Sequence, residues 1–286
     1  MKPVSLSIVI PAYNEAARIG KTLETIFAYL DEQTSNSEVI VVDDGSQDET
    51  AEVAGRSFSA HARRTEARVI RVEPNRGKGY AVRAGLLAAR APVALFSDAD
   101  LSTPITETPK LVAPIRAGEY DLIFGSRALD RRLIGVHQSW RREQGGRFFN
   151  LIVRVATGLP FWDTQCGFKA FRMDACRPII EAATIDRFGF DVELIYVAHR
   201  AGLRLREWPV RWDHNEGGKV DYTRDSVRMI NEVLTIRKQA SAGVYDAAVE
   251  AVRKLTQQQN LRAPLRHEGA PAIESDVPPE LAKSRC

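Results

Sequence analysis

Two short acidic motifs are the residues of this chain best suited to chemistry. Asp98-Ala99-Asp100 follows the apolar run Ala91-Pro92-Val93-Ala94-Leu95-Phe96, and Asp43-Asp44 follows Val39-Ile40-Val41-Val42. Two carboxylates separated by one small residue attract a hard divalent cation, Mg2+ or Mn2+, and such a cation is commonly shared with substrate phosphates. A carboxylate at another strand end can accept hydrogen bonds from a base or a ribose. Pro11-Ala12-Tyr13-Asn14-Glu15 leaves an earlier apolar segment through a rigid turn. There Tyr13 offers a ring to stack on a base and Glu15 an acceptor for it. Gly77-Lys78-Gly79 lets backbone approach a nucleotide while Lys78 brings positive charge. A lone Asp-x-Asp is usually a solvated loop, and a lone Gly-Lys-Gly a turn. Four such motifs at consecutive strand ends point instead to one nucleotide-diphosphate site. The first strand is followed by Pro-Ala-Tyr-Asn-Glu, not by G-x-G-x-x-G, and the G-x-x-x-x-G-K-[ST] loop is absent, which disfavours a dinucleotide dehydrogenase and a P-loop kinase.

The elements that must position these motifs alternate. Strands are predicted at Leu6–Ile10, Val39–Val42, Val69–Val72 and in the run ending at Phe96. Helices are predicted from Asn14 to Leu30, from Gly45 with Ser46 as N-cap and Glu49 completing a capping box, and from Tyr80 to Arg90. This β-α-β-α-β-α-β order predicts an α/β fold with a mostly parallel sheet between helices. Beyond Asp100 the pattern loosens. A short helix lies among Pro104, Pro109 and Pro114, and a strand at Tyr120–Phe124 ends in Gly125-Ser126-Arg127. A helix opens at Phe188-Gly189-Phe190-Asp191, a strand spans Leu203–Trp212, and helices are expected at Asp221–Lys238 and Val244–Gln259. The proline-rich stretch Ala263–Cys286 reads as disordered.

The chain has 286 residues, 44% apolar and 27% charged, with a net charge of +3. Such mild charge argues against a nucleic-acid binder, and no stretch approaches the roughly 18 apolar residues of a transmembrane helix. The N-terminus runs straight into strand sequence, so no signal peptide is expected. Cys166, Cys176 and Cys286 are odd in number and fit neither a metal site nor a disulfide framework, so free thiols in a reducing cytoplasm are expected.

The motifs resemble those of the family 2 glycosyltransferases of the GT-A (Rossmann-like) fold. The resemblance lies in Ser7-Ile8-Val9-Ile10-Pro11-Ala12-Tyr13-Asn14-Glu15, Val41-Val42-Asp43-Asp44-Gly45-Ser46, Asn75-Arg76-Gly77-Lys78-Gly79 and Asp98-Ala99-Asp100. Asp163-Thr164-Gln165-Cys166-Gly167-Phe168-Lys169 and Arg187-Phe188-Gly189-Phe190-Asp191-Val192-Glu193-Leu194 look like the dolichyl-phosphate β-glucosyltransferase branch. The match spans about residues 5–238. It implies a glycosyltransferase domain over 1–238, with a nucleotide half at 1–127 and an acceptor half at 128–238, followed by a C-terminal helix and tail at 239–286.

The resemblance further implies a nucleotide-sugar donor, UDP-glucose, and a polyprenyl-phosphate acceptor. Pro11, Tyr13, Glu15, Asp43, Asp44 and Lys78 match positions that hold the nucleotide. Asp98, Ala99 and Asp100 match the donor and metal site, with Asp98 and Asp100 toward Mg2+ or Mn2+ and Asp100 as the direct ligand. Ser102 stands where mannosyl relatives often carry Gln. Arg127, Lys169 and Lys219 match basic positions that hold phosphates. A phosphate acceptor is already anionic at neutral pH and needs no general base, and in-line attack on an α-linked donor gives a β-linked product. A hydroxyl acceptor would need a carboxylate, for which Asp191 is the candidate base against a bland role as helix N-terminal cap. GDP-mannose as donor and a catalytically dead nucleotide-sugar-binding module are the other readings.

The arginine-rich span Arg131–Arg154 is interleaved with Trp140, Phe148, Phe149, Leu151, Ile152 and Val153. It is expected either to pack as an ordinary helix or to touch an anionic membrane through residues 138–161. The protein is therefore expected in the cytoplasm, with peripheral contact to the inner face of the membrane. Trp162, Trp208 and Trp212 read as packing residues, and His214 as a satisfied polar group.

Overall fold

The computed structural model describes residues 3–136, 140–214 and 222–262. Its strands are β1 (Leu6–Ala12), β2 (Ser37–Asp43), β3 (Glu66–Arg71), β4 (Val93–Ser97), β5 (Leu122–Ser126), β6 (Ile134–Val136), β7 (Phe168–Arg172), β8 (Leu205–Pro209) and β9 (Trp212–Asp213). Its α-helices are α1 (Ala16–Asp31), α2 (Thr50–His61), α3 (Lys78–Ala88), α4 (Thr108–Arg116), α5 (Trp140–Thr157), α6 (Met173–Ala182), α7 (Phe190–Ala201), α8 (Tyr222–Ser241) and α9 (Asp246–Arg262).

Seven strands form one sheet in the order β3-β2-β1-β4-β7-β5-β8. Only β7 runs antiparallel to its neighbours, β4 and β5. The remaining pairs are parallel. β1, β2, β4 and β5 are buried along their whole length, which is why they read as near-continuous apolar runs. Successive residues of β1 show the two sides. Ile8 and Ile10 pack with Leu23, Ile26 and Phe27 of α1, while Val9 packs with Val82 and Leu86 of α3. The expected α/β architecture, a mostly parallel sheet between helices, is what the chain forms. Strand order reverses at β1 and β4, so a crevice opens beyond their C-terminal ends.

Several local expectations differ from the structure. α2 begins at Thr50, not Gly45. The Ser46 hydroxyl is not its cap but accepts a hydrogen bond from the Asn14 amide across the strand ends. Asp48 instead accepts from the Thr50 amide at 3.0 Å. The long last strand is two short ones, because β8 joins the main sheet and β9 pairs with β6. β7 was hidden within a segment read as a binding motif. α9 occupies the stretch expected to hold a C-terminal helix, and its Val249 and Val252 enter the same core cluster as α6 and α7. The proline-rich tail from Ala263 lies outside the described residues.

Candidate active site

The strand ends converge as the sequence motifs require. β1 runs into a turn where Asn14 adopts a left-handed φ of 53°. Its side-chain oxygen accepts from the Gln47 amide, and the Glu15 amide donates to Thr50 Oγ1. The loops after β1 and β2 thus brace one another. Tyr13 is 40% exposed at this edge. Glu15 forms an ion pair with Arg18 at 2.6 Å.

Asp43 and Asp44 divide their work. Asp43 Oδ1 accepts from the Ser46 amide. Its other oxygen is buried without a hydrogen-bond partner and lies 3.8 Å from Arg71 Nε. A buried acceptor without a partner is costly, and a ligand donor would relieve it. Asp44 is fully engaged. It accepts from the amides of Arg76 and Gly77 and from Asn75 Nδ2, at 2.7–2.9 Å. It therefore shapes the turn that carries Lys78. Burial pushes the Asp44 carboxyl above its usual range, even though the two amides favour its ionised form.

Lys78 starts α3, and its Nζ lies 2.7 Å from Asp98 Oδ1. Burial works against the ammonium, but the charges of Asp98, Asp191 and Asp100 outweigh it and hold Lys78 above its usual range. The acidic turn after β4 is tightly held. Thr22 of α1 donates to the Ala99 carbonyl at 2.5 Å, and Asp100 Oδ1 accepts from the Ser102 amide at 2.9 Å. Leu101 completes the turn with a φ of 47°, a conformation costly for a branched residue. A Cβ at Gly167 would overlap Asp98 Oδ2, so any side chain there would displace the Asp98 carboxylate.

Asp98 and Asp100 present oxygen donors alone, at a strand end, with Lys78 balancing one of the two charges. That chemistry fits Mg2+ or Mn2+. No further His, Cys, Asp or Glu completes a metal cluster with them among the described residues. The remaining ligands would come from substrate oxygens and water.

On the other side, β5 leads into Arg127. Its guanidinium forms a two-point contact with Asp163 at 2.7 and 2.9 Å. Burial opposes both charges. The pair outweighs it, so Arg127 is held above its usual range and Asp163 below. Glu207 of β8 in turn accepts from the Asp163 and Trp162 amides. Lys169 of β7 is fully buried. Its Nζ donates to the Cys166 carbonyl and lies 2.5 Å from Asp191 Oδ1, an ion pair outside hydrogen-bond geometry. Burial raises the Asp191 carboxyl, against the pull of Lys169 and Lys78. Asp191 makes no capping hydrogen bond. The N-cap of α7 is Gly189, so the bland capping role falls away.

The structure thus brings together Pro11, Tyr13, Glu15, Asp43, Asp44, Lys78, Asp98, Ala99 and Asp100 on consecutive strand ends, with Lys169 and Asp191 beneath Lys78. Lys219 lies outside the described residues, as do the side chains of Trp140, Arg141, Arg142, Arg147 and Phe148. Trp162 is 54% exposed, with the Arg154 guanidinium 3.8 Å above its ring. Trp212 stacks on His214. Cys166 and Cys176 are free and buried. The sequence reading assigned no role to Thr22 or Asp163. Thr22 carried a signal, being a polar residue on the apolar stripe Ile19, Leu23, Ile26 of its helix. Asp163 had none beyond its motif.

Comparison with known proteins identifies the family and the fold. The family model for glycosyl transferase family 2 matches residues 7–180. A dolichyl-phosphate beta-glucosyltransferase of Dictyostelium discoideum is 30% identical over 252 residues, covering 85% of this chain and 76% of that protein. The Drosophila melanogaster protein of the same name is 36% identical over 228 residues, covering 76% and 69%. Among solved structures, Mycobacterium tuberculosis glucosyl-3-phosphoglycerate synthase, in complex with Mn2+, UDP-glucose and glycerol 3-phosphate, superposes with a TM-score of 0.57. It is 21% identical and covers 82% of this chain and 78% of that one. No helix among the described residues is long and apolar enough to cross a membrane.

Proposed function

The chain belongs to glycosyl transferase family 2, and on that premise we propose that it moves glucose from UDP-glucose to a polyprenyl phosphate with inversion at the sugar carbon. The names of its relatives support the acceptor and the sugar. The Mn2+ and UDP-glucose complex of a protein with the same fold supports the donor and metal.

In this reading Tyr13 stacks on the base, and the Asp43 oxygen that has no hydrogen-bond partner accepts from its N–H edge. Glu15 lies beside them. Asp44 fixes the turn that offers Lys78 to the diphosphate. Asp98 and Asp100 would hold Mg2+ or Mn2+, which supplies charge neutralisation for the departing diphosphate. Arg127 and Lys219 bring positive charge to the phosphates, Arg127 from the acceptor side, while Lys169, fully buried against Asp191, acts from within the wall. Peripheral membrane contact through 138–161 belongs to the same proposal. It is supported by Leu151 and Val155, one helical turn apart on α5 and 53% and 78% exposed.

The observation that carries the acceptor class is Asp191. A base for a hydroxyl acceptor must reach the substrate. Asp191 has a side chain 6% exposed and is ion-paired to Lys169. A phosphate acceptor needs no such base. The test is transfer of labelled glucose from UDP-glucose, with Mn2+, to either a polyprenyl phosphate or soluble hydroxyl acceptors. Label is expected in an organic-extractable, acid-labile product, and Asp191→Asn, which leaves the buried Lys169 ammonium without its partner, is expected to retain most of that activity per folded molecule. A product formed only on hydroxyl acceptors and abolished by Asp191→Asn sinks the reading.

A further inference from the structure

Glu193 lies in the Phe-Asp-Val-Glu-Leu motif, yet the reaction as read so far gives it nothing to do. It is fully buried on α7. Among the described residues it has no ion-pair partner, so its charge is met by hydrogen-bond donors alone. Oε1 accepts from the Thr184 amide at 2.9 Å and lies 2.8 Å from the Thr184 hydroxyl and 2.7 Å from the Tyr245 hydroxyl, each of which has one proton to share between Glu193 and Gln239 Oε1, at 2.9 and 2.6 Å. Oε2 accepts from the Ile185 amide at 2.9 Å. A buried carboxylate costs several kcal/mol in desolvation unless fully satisfied, and a fully satisfied network fixes one backbone conformation.

The backbone it fixes is the seat of the Lys78 turn. The Asp186 carbonyl accepts from the Tyr80 amide at 3.0 Å. A Cβ on Gly79 would sit 2.5 Å from the Ile185 carbonyl, and one on Gly77 2.5 Å from the Asp186 carbonyl. The two glycines are thus required because residues 185–186 press directly on the turn. The Asp186 carboxylate also holds Arg76 and Arg83 at 3.0 and 2.7 Å. From the far side, Glu232 of α8 accepts from the Gly189 amide at 2.7 Å. Any shift of residues 184–186 must move the Gly77-Lys78-Gly79 backbone, and with it the 2.7 Å contact between Lys78 and Asp98.

We propose that Glu193 is a positioning residue for the donor phosphates, acting through residues 184–186 on Lys78. Tyr245, at the head of the C-terminal helix, completes the brace. The proposal rests on the reading that Lys78 serves the donor diphosphate. It places control of that group in the segment beyond residue 180, where the family model ends.

The test is a double-mutant cycle on the full chain, with kcat and both KM values measured for UDP-glucose and polyprenyl phosphate. Glu193→Gln turns an amide N–H2 toward backbone donors. It is expected to raise the KM for UDP-glucose roughly tenfold while leaving the acceptor KM unchanged. In a Lys78→Ala background the same substitution is expected to change kcat/KM by less than about twofold. A merely destabilised protein would lose active fraction, lowering apparent kcat with both KM values intact and equally in both backgrounds, and that result overturns the proposal. If Lys78→Ala itself leaves kcat/KM unaltered, the role of Lys78 falls first and this proposal with it. Should Glu193→Gln not accumulate folded, Tyr245→Phe carries the same cycle by removing one hydroxyl, which contacts Glu193 and Gln239, with an expected threefold or so rise in donor KM.

Discussion

The two sides of the crevice hold their charged residues by different means. On the side built from β1, β2 and β4, three carboxylates are held by backbone amides, Asp43 by Ser46, Asp44 by Arg76 and Gly77, and Asp100 by Ser102, while Asp98 and Glu15 are paired with Lys78 and Arg18. On the side built from β5, β7 and α7, charges are held by opposite charges: Arg127 by Asp163 and Lys169 by Asp191. Amide donors orient a carboxylate without cancelling its charge, so it still attracts a cation or a ligand N–H. An ion pair orients its members but leaves little net charge. The first side is built to bind, and the second to keep cations fixed in a half-dry wall where an arriving phosphate meets an oriented but largely balanced field.

This contrast breaks most readily at its driest pair. Lys169→Met leaves Asp191 buried without its cation and is expected to cost about 3–5 kcal/mol in urea unfolding. The double variant Lys169→Met/Asp191→Leu is expected to recover most of it. A single-variant loss below about 1 kcal/mol would mean that the pair is not a structural unit. On the amide-held side, Asp100→Ala is expected to lower kcat/KM with UDP-glucose by roughly 100- to 1,000-fold, because several kcal/mol of charge stabilisation leave with it. Retained donor-specific thermal stabilisation in Mn2+ would show that Asp100 is not the metal position.

Asp44→Asn sharpens the difference further. It sets an amide N–H2 against the Arg76 and Gly77 amides, and about 1–3 kcal/mol of stability should be lost, read as a lower urea midpoint. The smallest effect is in pH. Asp163 titrates below the usual range in the folded chain. Its contribution is therefore present above the unfolded value of about 3.9 and is lost as pH falls through the lower folded value. Asp44 has the opposite sign, since its folded value is raised and protonation favours the fold. The gap in urea midpoint between wild type and Asp163→Asn should narrow as pH drops below about 4. A gap that stays constant would falsify the assignment of the Arg127–Asp163 pair as a stabilising contact.

The amide-held side was the more legible in sequence. β2 and β4 are short apolar runs that lead straight into carboxylates, and β1 leads into the turn of the 11–15 motif, so period and chemistry point the same way. The ion-paired side was harder because its partners are distant in the chain. Phe168-Lys169-Ala170-Phe171-Arg172 carries two cations within five residues, so it reads as a ligand motif. It is a central strand, because Asp191 and Asp121 neutralise Lys169 and Arg172 from elsewhere. Ser46 misled for a related reason. Its hydroxyl serves a loop 32 residues earlier, not the helix that follows. Local sequence shows which residues have capping or binding chemistry, while only the fold decides which partner they meet.

The lone antiparallel strand also sets the order in which the protein is assembled. The strand half from β1 to β4 can pair before the rest of the chain is made, since β2 joins β1, β3 joins β2 and β4 returns to the other edge of β1. β4 must then wait for β7, and β5 for both β7 and β8, across long loops whose closure slows folding. Until those segments are synthesised, the edge of β4 is unpaired and its acidic turn lacks Gly167 and its neighbours. A nascent chain halted before residue 168 therefore exposes an apolar strand edge able to pair with another copy.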